Sequence, residues 1–152
     1  DVGIGLTNPI YDLHLSANSA AKPTSSAWTV SSDAELKNII GIYEKGLDEI
    51  LNLEPIVYRY KEDNGMNINE TNTDAYGLIA QDVAKIFPEA VSRNELGYLD
   101  LDMHPIFIAE INALKELNDK LTEQENIIEE QNKKIESLEL QIQEQIVLRL
   151  LW

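Results

Sequence analysis

The 152-residue chain contains no cysteine. That excludes disulfides and thiolate metal sites, so the fold must hold without covalent staples. It also suits a reducing cytosol. Basic residues are scarce, with 12 Lys and Arg against 27 Asp and Glu and a formal net charge of -15. Phosphate backbones are bound by clustered cations, so this balance argues against a nucleic-acid partner. No apolar run nears the length of a membrane span and no signal-peptide pattern opens the chain, so no membrane partner is expected. Glycine motifs are equally thin: Gly3-x-Gly5 lacks the third glycine, the following helix and the acidic partner of a phosphate loop. The sequence opens in mid-strand at Asp1-Val2-Gly3-Ile4 without methionine, which suggests a fragment of something longer. Its length accommodates one ordinary domain plus an extension.

What is present changes character twice. Residues 1–31 read as short strands: Val2, Ile4 and Leu6 alternate, Thr7-Asn8-Pro9 marks a turn, and Tyr11, Leu13 and Leu15 alternate again. After a small, polar stretch from Ala17 to Ser26, Trp28-Thr29-Val30 reads as one more β segment. Strands this short bury little in one chain and call for partners, which an intertwined multimer supplies. His14 falls on the polar phase and reads as a surface side chain. Residues 32–105 read as α+β. Tyr43, Leu47, Ile50 and Leu51 recur at helical spacing before Pro55. Ile56–Tyr60 and Tyr76–Ala80 read as strands paired across an exposed arm, 61–74. Asn69-Glu70-Thr71 in that arm matches a glycosylation sequon, taken as chance in a chain without a secretory signal. Gln81–Phe87 reads as a short helix stopped by Pro88, and Val91 with Tyr98–Leu101 as a hairpin turning near Gly97. Asp100, Asp102 and His104 could be arranged as metal ligands, but period-two carboxylates more often form the wet face of a strand, so no metal is expected.

From residue 106 to 152 the pattern is one long helix with a heptad repeat. Position a holds Leu114, Leu121, Ile128, Ile135 and Ile142; position d holds Leu117, Gln124, Gln131, Leu138 and Gln145. Lys120 with Glu125 and Lys134 with Glu139 are opposite-sign pairs of the kind a parallel bundle uses. Isoleucine-rich a with glutamine at d leans away from a two-stranded zipper, and the expected assembly is a homotrimer. The apolar tail, 146–152, is expected to fold against its neighbours or the globular part.

At the first change of character stands Ser32-Asp33-Ala34-Glu35-Leu36-Lys37. Two readings compete. Ser32 could be a nucleophile with Lys37 as its base, since a serine hydroxyl needs a deprotonating partner and a desolvated lysine can serve. Alternatively Ser32 to Glu35 is the S-x-x-E capping box that opens a helix. The two are compatible, because a helix N-terminus also favours negative charge near the serine.

The blocks taken together carry a resemblance. Val2-Gly3-Ile4-Gly5, Trp28-Thr29-Val30-Ser31-Ser32-Asp33 and Lys37 resemble the junction between a phage tail protein and its C-terminal intramolecular chaperone. Leu53-Glu54-Pro55-Ile56-Val57-Tyr58-Arg59-Tyr60, Tyr76–Val83, Phe87–Val91, Tyr98–Asp100 and the helix from Pro105 to Leu117 are similar to further blocks of that endosialidase-type chaperone family. Its members include tailspikes, tail fibres, neck appendages and, by shared domain, a membrane-bound eukaryotic transcription factor. The resemblance implies an α+β unit whose long C-terminal helix forms a parallel trimeric coiled coil below the end of a triple β-helix stalk. It implies an intramolecular chaperone that acts on its own upstream tail-protein polypeptide, then releases itself by autoproteolysis, without a cofactor. Assembly would take place in the host cytoplasm, the upstream protein ending in the virion tail. Carried over by position, Ser32 is the nucleophile, Lys37 the general base, and Ser31, Ser32 and Asp33 the cleavage site. Ala34-Glu35 stands where a Glu-Arg pair is common, which removes a positive charge near the lysine. Ring size favours scission between Ser31 and Ser32, with the bond after Ser32 as the alternative. A non-catalytic trimerisation domain is the other reading.

Overall fold

Ile106, Ala109 and Ala113 recur at spacings of three and four, which puts them on one stripe of a helix. In the computed structural model, which describes residues 1–15, 23, 29–66, 68 and 72–151, that stripe seeds the core. The helix, α3, runs 47 residues from His104 to Leu150. Pro105 sits in its first turn, where no intrahelical N–H bond is lost. The Asp102 carboxylate accepts the His104 N–H at 2.9 Å.

A short helix, α2 (Ala80–Ile86), lays Val83 against this stripe, followed one turn later by Phe87, which is 0 % exposed. Pro88 then opens a 3-10 turn, Pro88–Ala90, whose Ala90 completes the cluster of Val83, Phe87, Ile106 and Ala109. There are two antiparallel pairs, and Val91 and Leu101 of the second pack against this cluster. β3 (Ile56–Tyr58) pairs with β4 (Ala75–Gly77), so the two strands expected across the arm do meet, each shorter than its apolar run. β5 (Val91–Arg93) pairs with β6 (Leu99–Leu101). The β5–β6 turn is built by Asn94, whose Oδ1 accepts the N–H groups of Leu96 and Tyr98, and by Gly97 at φ 87°. A left-handed residue there favours glycine, which has no Cβ to clash.

The helix expected around Tyr43 is only α1, Leu47–Leu51. Tyr43 lies before it, outside any helix or strand, because its groups are claimed elsewhere. Its carbonyl accepts Asn112 Nδ2 at 2.7 Å and its hydroxyl donates to Glu89 at 2.6 Å. Gly46 is buried where chain and α3 approach so closely that a Cβ would lie 2.1 Å from Glu116 Oε1. Glu116 in turn accepts the Leu47 N–H, and Glu49 the Gly46 N–H.

At the N-terminus, β1 (Val2–Ile4) and β2 (Leu13–Leu15) form a parallel pair with Val2 opposite Leu13. Val2, Ile4 and Leu13 remain exposed, as the shortness of the strands requires. His14 departs from its expected surface position: it is half-buried, its Nδ1 accepts the Ile10 N–H at 3.3 Å, and its ring meets Tyr11 edge-on. Trp28, nearly all of Ala17–Ser26, the sequon Asn69-Glu70-Thr71 and Trp152 lie outside the described residues. Thr29 and Val30 are not in a strand. The tail 146–151 is exposed and does not fold back on the globular part, contrary to one of the two expectations for it. The chain is thus α+β, with short strands and a long C-terminal helix.

Candidate functional site around Ser32 and Lys37

Ser32 does not cap a helix. Asp33, in extended backbone at φ -68° and ψ 138°, caps a 3-10 turn spanning Ala34–Leu36 by accepting the Glu35 N–H at 2.9 Å. The sequence signal for this is an aspartate two residues before the N–H it accepts, an Asx-type turn that competes with the S-x-x-E box. The turn closes with the Lys37 N–H on the Ala34 carbonyl at 3.2 Å. Its flanking residues fold toward each other, and Lys37 Nζ lies 2.5 Å from Ser32 Oγ. Hydroxyl and amine are therefore in hydrogen-bond reach, the first requirement for a serine with a lysine base. Ser31, Ser32, Asp33 and Lys37 are all exposed in the single chain.

Downstream, Ile39, Ile40 and Ile42 are almost wholly exposed, outside any helix or strand. The chain then locks onto the core. Lys45 Nζ donates to the Ile86 carbonyl at 2.5 Å and to Glu89 at 2.9 Å, and stands 4.7 Å above the Phe87 ring. Asn112 Nδ2 donates to the Tyr43 and Lys45 carbonyls. Burial pushes the Glu89 carboxyl up, but the hydrogen bonds from Tyr43 and Lys45 outweigh it and hold the group below the usual glutamate range. Burial, joined by the hydrogen bond to Glu89, pushes the Tyr43 hydroxyl up. This cluster, unforeseen in the sequence, anchors the irregular segment that leads away from Ser32 and Lys37.

The heptad positions Leu114, Leu117, Leu121, Gln124, Ile128, Gln131, Ile135, Leu138 and Ile142 all lie on exposed helix. Leu114 is 68 % exposed and Ile128 56 %. Asp100, Asp102 and His104 do not converge on a cation site: Asp100 accepts from Tyr11 and Asn94, and Asp102 from the His104 backbone. Among the described residues no three His, Asp or Glu side chains are grouped to hold a metal, and no helix is long and apolar enough to cross a membrane.

No curated protein matches the chain. Residues 32–92 match the family Peptidase_S74, described as chaperone of endosialidase. The match begins at Ser32 and runs through β3, β4 and α2 into β5. Residues 32–92 are thus similar to the chaperone-of-endosialidase family, which supports a chaperone domain of that family in this stretch.

Proposed function

We propose that this chain is an intramolecular chaperone that gathers three copies of itself through α3, assists the folding of an upstream triple-stranded β stalk, and then cuts itself free at Ser32. The observation that carries the reading is the 2.5 Å approach of Lys37 Nζ to Ser32 Oγ, at the first residue of the family match. In this reading residues 1–31 are the end of the stalk, 32–105 the chaperone unit with its arm at 61–74, and 106–152 the trimerising segment.

Neutral Lys37 takes the proton of Ser32 Oγ as the oxygen attacks the carbonyl carbon of Ser31. A five-membered ring forms, the Ser31–Ser32 C–N bond breaks, and the proton passes to the freed amine of Ser32. The resulting ester of the Ser31 acyl group on Ser32 Oγ is hydrolysed by water, leaving a Ser31 carboxylate and restoring the Ser32 hydroxyl. A lysine serves as the base only in its neutral form, which a water-excluding site favours. A lone protomer leaves both groups exposed. Assembly supplies the missing enclosure, and cleavage waits for the trimer.

Mass spectrometry of the freshly expressed chain tests this. Two fragments, 1–31 and 32–152, are expected, and Ser32→Ala and Lys37→Ala should each leave the chain whole. An intact wild-type chain under conditions where it is trimeric overturns the protease and leaves a trimerisation scaffold.

A further inference from the structure

Every residue from Thr29 to Ile42 is exposed, so the stretch that carries Ser32 and Lys37 is barely packed on its own protomer. Its hydrogen bonds are internal: the Asp33 cap and the Ala34 carbonyl close the turn, and Lys37 meets Ser32. These bonds fix the pair's shape. They do not fix where the pair stands relative to α3. Downstream of Lys37, Tyr43 is the first described residue that is half-buried and bonded to the globular unit.

At Tyr43 the chain meets a rigid joint. Asn112 Nδ2 carries two hydrogens and uses both, donating to the Tyr43 carbonyl at 2.7 Å and the Lys45 carbonyl at 3.0 Å. One helical turn along, Glu116 accepts the Leu47 N–H at 3.2 Å. Two side chains on one face of α3 therefore hold three backbone groups between residues 43 and 47. Gly46 makes the approach possible, since a Cβ there would also stand 3.4 Å from the Asn112 Cβ. Bonds to carbonyls set the direction of the backbone, which a side-chain contact alone leaves free to pivot. Asn112 lies two positions before Leu114, hence at position f of the heptad, on the side of the helix away from the a and d stripe. At this level α3 carries the joint on one side and the proposed seam on the other.

An exposed serine and lysine gain a dry site only if they are set down at one place among the neighbouring protomers. Misplacement of a reacting pair by 1 Å can cost about a hundredfold in rate. We propose that Asn112 is a positioning residue of the self-cleavage reaction: its carboxamide orients the segment that bears Ser32 and Lys37 against α3, so that packing of three α3 helices delivers each pair to its enclosed place. Asn112 touches no reacting atom and acts through the backbone at Tyr43 and Lys45. The inference rests on the proteolytic reading of Ser32 and Lys37 and names the residue that links assembly to it.

The test follows self-cleavage of the full chain by mass spectrometry at timed intervals, with sedimentation reporting the trimer. Asn112→Leu keeps similar bulk and loses both N–H donors. It should leave the trimer intact, since position f is off the seam, and slow cleavage about tenfold or more. Asn112→Asp, which sets a carboxylate against the two carbonyls, should slow it at least as much, and it makes the test if Asn112→Leu fails to fold. Asn112→Gln keeps the donors and should restore most of the rate. A second readout is independent of cleavage: amide hydrogen exchange at Gly46 and Leu47 should quicken in Asn112→Leu and Asn112→Asp. Trimeric Asn112→Leu and Asn112→Asp chains that cut at the wild-type rate overturn the proposal. So does an Asn112→Gln chain as slow as Asn112→Leu, because the donors would then not matter. Loss of the trimer in both also overturns it, by placing Asn112 in assembly. A wild-type chain that stays whole defeats the proteolytic reading instead, and exchange then decides alone: quickened exchange supports the joint and unchanged protection overturns it.

Discussion

The two ends of α3 are one helix with two fates. From His104 to Ala113 it carries Ile106 and Ala109 into a core shared with α2 and the Pro88–Ala90 turn, and buries Ala113 as well. From Leu117 to Leu150 every residue is exposed, although isoleucine and leucine recur every seven. The difference lies in side-chain size. The head uses alanines, which let α1 and the chain at Gly46 approach within the reach of Glu116. The shaft carries large aliphatic residues at a, and at Leu117 and Leu138 of d, which need holes of similar depth and are exposed in the single chain. One chain satisfies the head; in the proposed trimer, further chains satisfy the shaft.

The largest effect should come from the shaft. Ile128→Asp with Ile135→Asp puts two charges into the proposed seam, and sedimentation should show the assembly reduced to protomers. Near-ultraviolet circular dichroism of the head should stay unchanged. If the double variant still sediments as the wild type, the seam is elsewhere. The head should break in the opposite way. Phe87→Ala empties a fully buried site and should cost about 3–5 kcal/mol of unfolding free energy, read by denaturant titration of the protomer. A loss below about 1 kcal/mol would show that the head does not depend on this core. The smallest effect separates head from shaft by pH. Glu89 titrates below its ordinary value in the folded head, so its contribution is complete above the unfolded glutamate pKa of about 4.3. That contribution drains away as pH falls from there through the depressed folded value. Glu89→Gln should flatten this acid loss in the head by under about 1 kcal/mol, given its partial exposure, and leave the shaft's acid response unaltered. Equal acid sensitivity with and without Glu89 would remove the carboxylate from the account.

Much of the head was legible because its signals are local. Alternation and turn residues located β3 with β4 and β5 with β6, and Gly97 takes the positive φ that its place near the turn suggested. Heptad spacing traced α3 through to Leu150. What escaped was decided by partners remote in sequence. Tyr43 sits at helical spacing from Leu47, yet it lies outside the helix, bonded to Asn112 and Glu89. His14 reads as polar surface, but the Ile10 N–H and the Tyr11 ring half-bury it. At the candidate site, the Ser32 and Lys37 spacing was readable and their side chains do meet. Asp33 as the cap was missed because Ser32 offered the more familiar box. Tyr11 and Asp100, 89 positions apart, left no mark in any local pattern.

Asn112 has one further consequence. Its amide fastens the backbone at Tyr43 and Lys45 to the helix close to where the exposed seam begins. Lys37 is six steps upstream of that fastening, and six extended residues reach roughly 20 Å at most. The serine and its amine are thus on a short leash pegged to the top of the shaft. Three shafts drawn side by side would herd three such pairs, with their bare isoleucines, into one small chamber.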